Sequence, residues 1–351
     1  MNANLTICLI TYNSARYLPE LFKSFESSVL KGWELLIVDN NSQDNTLQLL
    51  ETCKLPKQII NLSLNMGHSY AANIALKSCK TRYLILLDHD TIVDRELFSC
   101  LFDAAEQNRD PLAVVFTPKI IDKSRNEVYY GGEFHFIGKT YTNREMPRNL
   151  EVGMIPSTAP LLDLKNIPKN ILFDEDFFIY WNDADFFYRL RAVGFKIVLV
   201  PSAVVFHLEG SSSYSHREGV KYSSLRAFYV MRNHRLFIIK NYKFRTILIF
   251  LPCFLLYEIF NIGFSIKKQI FLKGYIFSLV ATIKLFFPML LKREEFQKQR
   301  KISDIFLVGA YKLDYNPGVI DNIVFRFFVE SFEKFLYMYF KLAKIVLLRF
   351  P

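Results

Sequence analysis

The first quarter of the chain alternates between short apolar runs and longer segments in which apolar residues recur at helical spacing. The short runs predict strands and the longer segments predict helices. Such alternation is typical of crossover units that build a largely parallel sheet with helices on both faces. The predicted strands are Leu5–Ile10, Trp33–Val38, Lys57–Leu62 and Tyr83–Leu87, and the predicted helices are Ala15–Leu30, with Ser14 as its N-cap, Gln43–Cys53 and Ser69–Ser78.

The middle of the chain, residues 111–206, mixes strands and glycine-containing turns with one clear helix. That helix is predicted over Asp183–Val193, and Gly194 is a natural stop because glycine readily takes the left-handed conformation that ends helices. A strand over Phe195–Val200 should follow it. We expect this strand to end at Pro201, which lacks the N–H that a sheet ladder needs.

Small polar or acidic residues follow three of the predicted strands. In open α/β sheets the ligand lies beyond the carboxyl ends of the strands, so these residues define a predicted binding crevice. The three polar segments are Thr11-Tyr12-Asn13, Asp39-Asn40-Asn41-Ser42 and Asp88-His89-Asp90.

Asp88 and Asp90 form an acidic pair directly after the fourth predicted strand. Residues i and i+2 of an extended chain point to the same side, so the two carboxylates can share one hard divalent cation. Such an ion would neutralise a departing diphosphate. The alternative is a solvated turn, because Asp, His and Thr are ordinary turn residues. The strong strand before the pair and the two other polar strand ends favour the metal site.

Asp39 ends a strand at a position typical of nucleotide-binding folds. The first strand is not followed by G-x-G-x-x-G, and the chain has no P-loop, so the sequence does not predict a dinucleotide site or a glycine-rich phosphate cradle. We expect the Asp39 carboxylate to accept the N3–H of uracil or thymine, with Tyr12 stacked nearby. The alternative is that Asp39 and Ser42 cap the helix that begins at Gln43.

Charge and aromatic content change sharply along the 351 residues. Residues 1–240 carry 27 Lys+Arg and 26 Asp+Glu, whereas residues 241–351 carry 17 and 8 and hold 18 of the 34 Phe. We therefore predict a main domain at 1–240 and a helical, basic, aromatic-rich, membrane-associating region at 241–351. A chain that is 51% hydrophobic and 22% charged is not a disordered one.

The C-terminal region predicts amphipathic helices at a membrane surface. From Ile323 to Phe350 the charged residues fall on one helical stripe beside a wide apolar face. The apolar stretches Thr246–Phe264 and Tyr275–Leu291 contain prolines and polar residues, so neither predicts a clean membrane span. Basic and aromatic residues together suit an anionic leaflet, which favours peripheral attachment. A helical subdomain packed on protein and a dimer interface are the alternatives, and the sequence predicts no oligomeric state.

Localisation is predicted from the cysteines and the N-terminal segment. The five cysteines have no zinc-like spacing and are typical of reduced thiols in a cytosolic protein. The N-terminal segment has no basic region and only a short apolar run, so no signal peptide is predicted. We expect a cytoplasmic body attached peripherally to the cytoplasmic face of the inner membrane. Nucleic acid is not an expected partner, because the charges of the tail form a stripe instead of interleaving with aromatic residues.

Five sequence blocks, in order, resemble those of family 2 glycosyltransferases with the GT-A fold. The resemblance covers about residues 5–240. Within the family the chain most resembles bacterial rhamnosyltransferase-like enzymes, which share FDE-x-FF, a D-x-D-x-x-x-R helix and the pair Arg232-Asn233. The blocks are ITYNSARYLPELFKSF, WELLIVDNNSQDNT, NMGHSYAANIAL, YLILLDHDTIVD and FDEDFFIYWNDADFFYRLRAVGFKIVLVPSAVVFHLEGSS.

The resemblance implies roles for individual residues. Asp183 matches the general base of the family. Asp90 would bind the metal and diphosphate, Asp88 would contact the donor ribose or sugar beside it, and His207 matches an additional metal ligand. The nucleotide-sugar side would comprise Thr11, Tyr12, Asn13, Asp39, Asn41, Asn65, Gly67, Asn73 and Asp88, and the acceptor side Glu175, Trp181 and Asn182.

A Ser/Gly-rich, basic stretch near residue 215 predicts a mobile loop. Arg217 or Lys221 in this stretch could close over the diphosphate and exclude water. A solvated loop without a role is the alternative.

Two departures from the family pattern are visible. Asn182 stands where the family usually has Glu before the base, which removes a like charge beside Asp183. His89 occupies the middle of the acidic triplet and is interpreted as a neutral space-filling residue. Asp185 competes with Asp183 as the base, but its i,i+4 spacing to Arg189 predicts a structural ion pair.

The resemblance implies an inverting, metal-dependent enzyme that uses Mn²⁺ or Mg²⁺. It would move a sugar, rhamnose by subgroup likeness, from a UDP- or dTDP-activated donor to a hydroxyl of a glycan or lipid-linked glycan in bacterial surface polysaccharide synthesis. Residues 1–110 would bind the nucleotide-sugar and residues 111–240 the acceptor.

Two other functions remain open. A sugar nucleotidyltransferase would need a glycine-rich loop where this chain has TYNSA. A non-catalytic binding module is disfavoured by the intact acidic residues and by His207.

Overall fold

The computed structural model describes residues 4–28, 32–123, 126–155, 158–208, 223–267, 270–313 and 323–349. The four predicted N-terminal strands and the three helices between them are present. The strands are β1 (Leu5–Thr11), β2 (Glu34–Asp39), β3 (Lys57–Asn61) and β4 (Tyr83–Asp88), and the helices are α1 (Leu18–Glu26), α2 (Thr46–Thr52) and α3 (His68–Ser78).

Two helices begin later than predicted, because polar side chains hold the chain in turns before them. Ser14 is not the N-cap of α1. Its carbonyl accepts from the backbone N–H groups of Tyr17 and Leu18, and Tyr17 precedes the helix. The backbone N–H of Gln43 donates to Oδ1 of Asn13, so α2 starts only at Thr46.

The remaining elements follow in chain order. They are β5 (Thr91–Val93), α4 (Leu97–Gln107), β6 (Ala113–Asp122), β7 (Glu127–Tyr129), β8 (Gly132–His135), β9 (Thr140–Thr142), β10 (Glu151–Val152), β11 (Leu161–Asp163), α5 (Asn182–Ala192), β12 (Lys196–His207), α6 (Ser224–Asn241), α7 (Phe244–Lys267), α8 (Ile270–Gln299), β13 (Val308–Gly309) and α9 (Ile323–Arg349).

The main sheet confirms the predicted α/β fold class. Among the described residues its strands run in the order β10-β12-β6-β11-β4-β1-β2-β3, with β5 beside β12 and β7 beside β6. Strands β4, β1, β2 and β3 pair in parallel, and β11 lies antiparallel between β4 and β6. All seven residues of β1 are buried, as expected for a strand covered on both faces.

Strand β12 does not end at Pro201 as predicted. It continues to His207, because residues 201–203 form a bulge between two runs of parallel pairing with β6. Val200 pairs with Pro118, and Val204 pairs with the next residue, Lys119. A bulge accommodates proline because the extra residues need not donate to the ladder.

Packing divides the chain into two units. The first unit comprises residues 1–131, 143–190 and 195–222, and the second comprises residues 132–142, 191–194 and 223–351. The sequence places a boundary near residue 241, whereas the packing groups α6 with the second unit.

The second unit is built from helices α6 to α9 and a small sheet of β13, β8 and β9. Arg293 on the C-terminal half of α8 and Arg300, the residue just after α8, donate to carbonyls at the C-terminal end of α6. These cations satisfy carbonyl groups that have no partner within the helix. The rings of Phe136, Phe250 and Phe340 stack in the core of this unit. The predicted C-terminal helical extension is therefore present.

Candidate active site

Asp88, Asp90 and His207 meet at one edge of the main sheet. Strand β4 ends at Asp88, and the chain turns through Asp90 into β5. Strand β5 pairs antiparallel with β12, which sets Thr91 opposite His207. One ligand atom from each of the three side chains lies within 4.8 Å of the other two, and Nε2 of His207 is 3.4 Å from Oδ1 of Asp90.

This set of donors fits a divalent cation such as Mn²⁺. Carboxylate oxygens suit Mn²⁺ and Mg²⁺, and imidazole adds a nitrogen ligand. Asp90 is buried, whereas Asp88 is half-buried, so the cluster lies at the surface of the sheet edge and not within the core. The structure thus brings together the three residues that the sequence assigns to metal binding.

His68 links this cluster to the start of α5. Its Nε2 lies 3.3 Å from Oδ1 of Asp88, and its Nδ1 lies 3.0 Å from Nδ2 of Asn182. Burial lowers the pKa of His68, but the hydrogen bond to Asp88 and the charges of Asp88, Asp183 and Asp90 outweigh burial and raise it. His68 was not identified from the sequence. The only signal was a histidine at the first position of a helix that begins beside polar strand ends.

Asp183 lies in the first turn of α5, next to Asn182. Its Oδ1 accepts from the backbone N–H of Ala184 at 2.8 Å. Desolvation by burial raises the pKa of Asp183, and the charge of Asp88 raises it further, against the opposing effects of the Ala184 N–H and His68. A carboxylate with a raised pKa is a stronger proton acceptor once ionised.

Asp185 has the structural role that its spacing predicts. It is fully buried, and its Oδ2 accepts from Nε of Arg189 at 2.9 Å. The guanidinium also donates to the carbonyl of Leu172 at 2.6 Å. Asp185 and Arg189 therefore form a buried structural ion pair, which leaves Asp183 as the candidate base on this helix.

Left-handed backbone precedes Asp183. Phe178, Tyr180 and Trp181 have φ angles of 57°, 63° and 58°, values that bulky residues rarely adopt. The carbonyl of Phe178 accepts from the N–H of Ser69, so the segment is held against the start of α3. Such strain persists where surrounding contacts fix it, and it is common at functional sites.

Gly67 is the residue that allows this close approach. Its φ is +86°, and a Cβ at this position would lie 2.5 Å from the Phe178 ring and 2.7 Å from the Phe178 carbonyl oxygen. A side chain would therefore require movement of backbone as well as of a ring. Nearby, Oδ1 of Asn65 accepts from the Gly67 N–H and completes the turn into α3.

Asp39 connects two loops on the nucleotide side. Its carboxylate accepts from the Thr11 hydroxyl at 2.7 Å, and from the Ser42 hydroxyl and N–H at 2.6 and 2.8 Å. The side chain of Asp39 is fully buried, so its carboxylate joins the two loops from beneath. Helix α2 starts after these residues, so Asp39 and Ser42 do not cap it directly.

The surface of these loops is polar. Asn13 and Asn41 both have positive φ, and asparagine tolerates that conformation better than most residues. The Asn13 N–H donates to Oγ of Ser42, so the two loops are joined on this side as well. Tyr12, at the end of β1, is half-buried.

Asn73 forms a second link, between α3 and residues 173–175. The amide of Asn73 exchanges two hydrogen bonds of 2.9 Å with the backbone of Phe173, and also donates to Oε1 of Glu175 at 2.9 Å. Asn73 thus lies against residues 173–175. Trp181 is half-buried beside the base helix. Arg217 and Lys221 lie outside the described residues.

Comparison with known sequences supports this arrangement. The family model described as glycosyl transferase family 2 matches residues 6–162. The chain is similar to an uncharacterized glycosyltransferase of Rickettsia conorii, with 24% identity over 177 residues that cover 50% of this chain and 29% of that protein. It is also similar to a poly-β-1,6-N-acetyl-D-glucosamine synthase of Staphylococcus epidermidis, with 25% identity over 34% of this chain and 30% of that protein. The matches thus span less than a third of the length of these curated relatives.

Solved structures share the fold. GalNAc-T7 with UDP, GalNAc and Mn²⁺ superimposes with a TM-score of 0.52 and 15% identity, covering 67% of this chain and 47% of that one. The mannosyltransferase PcManGT of Pyrobaculum calidifontis, in complex with GDP-Man and Mn²⁺, superimposes with a TM-score of 0.50 and 13% identity. The match covers 98% of this chain and 86% of that one. The sequence blocks, the sheet order and the match over residues 6–162 agree on a glycosyltransferase fold, and over those residues the chain is similar to glycosyl transferase family 2.

Proposed function

We propose that this protein is an inverting glycosyltransferase that moves a sugar from a UDP- or dTDP-activated donor to a hydroxyl of a glycan or lipid-linked glycan. The observation that carries the proposal is the meeting of an acidic pair and His207 with a separate carboxylate, Asp183, at one sheet edge. The match to the glycosyl transferase family 2 model over residues 6–162 and two structural neighbours solved with a nucleotide or nucleotide sugar and Mn²⁺ support it. Synthesis of a bacterial surface polysaccharide is the proposed setting, with rhamnose as the first sugar to test.

Asp88, Asp90 and His207 would hold a divalent cation, Mn²⁺ or Mg²⁺, which would offset the negative charge of the departing diphosphate. Asp183 would accept the proton of the acceptor hydroxyl as its oxygen attacks the anomeric carbon. The bond from that carbon to the diphosphate oxygen breaks as the new glycosidic bond forms, so the configuration inverts in a single displacement. General-base assistance of this kind contributes roughly 10²–10⁴-fold to the rate.

The donor would occupy the loops after β1 and β2. In this proposal Thr11, Tyr12, Asn13 and Asn41 line the pyrimidine and ribose, with Asp39 bracing them from below, as its burial supports. Asn65 and Gly67 shape the turn beside the diphosphate, while Asn73 positions Glu175. The acceptor would lie against Glu175, Trp181 and Asn182. Arg217 or Lys221 remains a proposed contact to the diphosphate.

A screen for donor hydrolysis tests the reaction class and the sugar together. The purified protein is incubated with UDP- and dTDP-sugars and Mn²⁺, and release of the nucleoside diphosphate is measured with and without chelator. We expect one donor to be hydrolysed in a metal-dependent manner. Full hydrolysis in chelator would contradict the metal role. Release of pyrophosphate from a nucleoside triphosphate and a sugar phosphate would instead identify a nucleotidyltransferase.

We also propose that the second unit attaches the protein to the inner leaflet. Two helical segments, Phe244–Ile266 of α7 and Leu272–Gln299 of α8, are long and apolar enough to cross a membrane. In the most apolar 18-residue stretch of each segment, only 17% and 28% respectively is buried. On α9, Met338 and Leu342 are exposed, and the ammonium group of Lys341 lies 4.4 Å from the Tyr337 ring centre. Basic residues beside exposed aromatic and aliphatic ones suit an anionic bilayer surface.

The packing of α8 favours a position within the interface over a crossing of the bilayer. Helix α8 lies along α6, and α6 carries Arg232, Asn233, His234 and Lys240. These residues would enter the hydrocarbon with α8 if α8 crossed it, which is costly for charged groups.

Vesicle sedimentation tests the attachment. The full chain should pellet with vesicles that contain anionic phospholipid, and less with neutral vesicles. The double variant Met338→Glu/Leu342→Glu should lose most of the bound fraction, because it places charge on the apolar surface. Ser331→Glu, which adds charge at an exposed polar position of the same helix, is the matched control. Equal sedimentation of the double variant and the wild type would contradict the assignment.

A further inference from the structure

His68 takes no part in the proposed reaction. His68 lies between the metal cluster and the base helix, and its side chain is only 17% exposed. Among the described residues it contacts one group on each side, Asp88 through Nε2 and Asn182 through Nδ1. The two partners lie 20 and 114 residues away along the chain, so the imidazole joins segments that no local structure connects.

The chemistry of Asn182 determines which nitrogen of the ring donates. When the Asn182 amide donates to Nδ1, the ring proton resides on Nε2, and Nε2–H donates to Oδ1 of Asp88. A doubly protonated ring makes the same bond to Asp88, with Asn182 offering its oxygen instead. Only the neutral ring with its proton on Nδ1 would break the bond to Asp88, and an Asn182 that donates excludes that tautomer.

The family pattern has Glu at this position, and a glutamate can only accept. A carboxylate opposite Nδ1 would favour the tautomer that carries its proton there, and so remove the donor from Asp88. Asn182 and His68 are therefore chemically matched in this chain.

We propose that His68 is a positioning residue: held by Asn182, it fixes the Asp88 carboxylate in the orientation that binds the divalent cation. This inference rests on the proposed function, because it concerns the same metal site. Groups that hydrogen-bond to metal-binding side chains typically contribute 10- to 100-fold to metal affinity or activity. His68 would have that role here, and Asn182 would act through it.

The test measures Mn²⁺ binding in the presence of UDP by electron paramagnetic resonance, without any acceptor or turnover. We expect His68→Leu to weaken Mn²⁺ binding about 10- to 100-fold. His68→Gln should recover most of the affinity, because the glutamine amide carries a donor and an acceptor and can bond both partners. His234→Gln is the matched control, since the His234 ring is also buried and hydrogen-bonded, to the Ile137 carbonyl within the second unit.

A double-variant comparison separates positioning from packing. Asn182→Leu should weaken Mn²⁺ binding in the wild-type background and have little further effect beside His68→Leu, because the two residues act in one chain of bonds. Circular dichroism melting checks that each variant folds. If His68→Leu does not fold, His68→Gln and Asn182→Leu make the same comparison.

The outcomes distinguish this inference from the proposed function. Mn²⁺ binding by His68→Leu or by Asn182→Leu at wild-type affinity would overturn the positioning role and leave the metal site intact. Equal losses of Mn²⁺ affinity from Asn182→Leu in the wild-type and in the His68→Leu background would also overturn the positioning role. A wild-type protein that binds no Mn²⁺ with UDP would overturn the metal site itself, and the role of His68 with it.

Discussion

Nε2 of His207 lies 3.4 Å from Oδ1 of Asp90, although the two residues lie far apart in the sequence. The contact follows from the antiparallel pairing of β5 with the last residues of β12. The pairing is made by backbone groups, so the two side chains can be replaced without loss of the strands that present them. This makes the site accessible to substitution experiments.

Removal of the metal ligands should abolish activity while the fold remains. We expect Asp90→Asn to lower donor hydrolysis and transfer at least about 100-fold, because a ligand and a negative charge are lost together. Chelator should have the same effect on the wild type, and added Mn²⁺ should restore activity. Asp103→Asn, on an exposed face of α4, is the control. Wild-type rates from Asp90→Asn would refute its role as a ligand.

Asp183→Asn should separate catalysis from nucleotide binding. Transfer should fall by about 10²–10⁴-fold, since asparagine cannot accept the proton of the acceptor hydroxyl. Binding of UDP with Mn²⁺, measured by calorimetry, should stay close to wild type. Loss of nucleotide binding in a folded variant would assign Asp183 to the donor side instead.

The acidic limb of the pH profile of transfer should have a pKa above the ordinary range for an aspartate side chain. Burial raises the pKa of Asp183 from its usual value near 3.8, and the base is active only when ionised. The rate kcat/KM should therefore rise with pH through this elevated pKa, with unit slope. An acidic limb at or below pH 4 would contradict the assignment.

The same shift has a consequence for stability. A carboxyl whose pKa is higher in the folded state stabilises the protein fully at pH values below its unfolded pKa, and this contribution is lost as the pH rises through its folded pKa. At neutral pH Asp183→Asn should therefore melt above the wild type, and the difference should shrink towards acid pH. A variant that melts below the wild type at neutral pH would contradict the direction of the shift.

Gly67→Ala should damage the site through the backbone. The new Cβ would lie within 2.7 Å of the Phe178 carbonyl, and its φ of +86° is unfavourable for alanine. We expect a loss of about 2 kcal/mol or more, since overpacking and left-handed backbone each cost on the order of 1–2 kcal/mol. Gly263→Ala in α7 is the matched control, because nothing lies within 4 Å of the added atom. That control should be neutral or stabilising by about 0.5–1 kcal/mol.

Asp185→Asn should destabilise the protein without acting on the chemistry. It leaves the Arg189 guanidinium, whose side chain is 10% exposed, without its buried counter-charge. Breaking a buried pair in this way costs about 3–5 kcal/mol. Glu294→Gln, which breaks an exposed pair with Lys298 at the same i,i+4 spacing, should leave the denaturation midpoint close to that of the wild type, because solvent screens this pair. If Asp185→Asn and Glu294→Gln shift the denaturation midpoint by similar amounts, the buried pair contributes no more to stability than the exposed pair.

The elements that the sequence predicted well have strong local patterns. Strands β1, β2 and β4 are mostly apolar runs, and the predicted ends of β1 and β4 differ from the structure by one residue each. The acidic pair was predictable because both residues lie in one short segment, and Asp185 with Arg189 because both lie on one helix. In each case the contact is local in the chain.

The features that were missed depend on contacts between distant segments. The apolar run at residues 203–206 follows Pro201, but its membership of the same strand across a bulge depends on its pairing with β6. His68 resembles any polar residue at a helix start until Asp88 and Asn182 are brought beside it. The boundary of the second unit was similarly hidden, since the composition of α6 does not reveal that it packs along α8.

The bulge at residues 201–203 governs the direction in which His207 faces. Alternate residues of a strand point to opposite sides, so the loss of a single residue here would turn the imidazole away from both acids. The pairing of β12 before the bulge would be untouched. A one-codon deletion would thus remove one of the three clustered side chains while both acids stay in the sequence, and a comparison limited to Asp88 and Asp90 would not detect it.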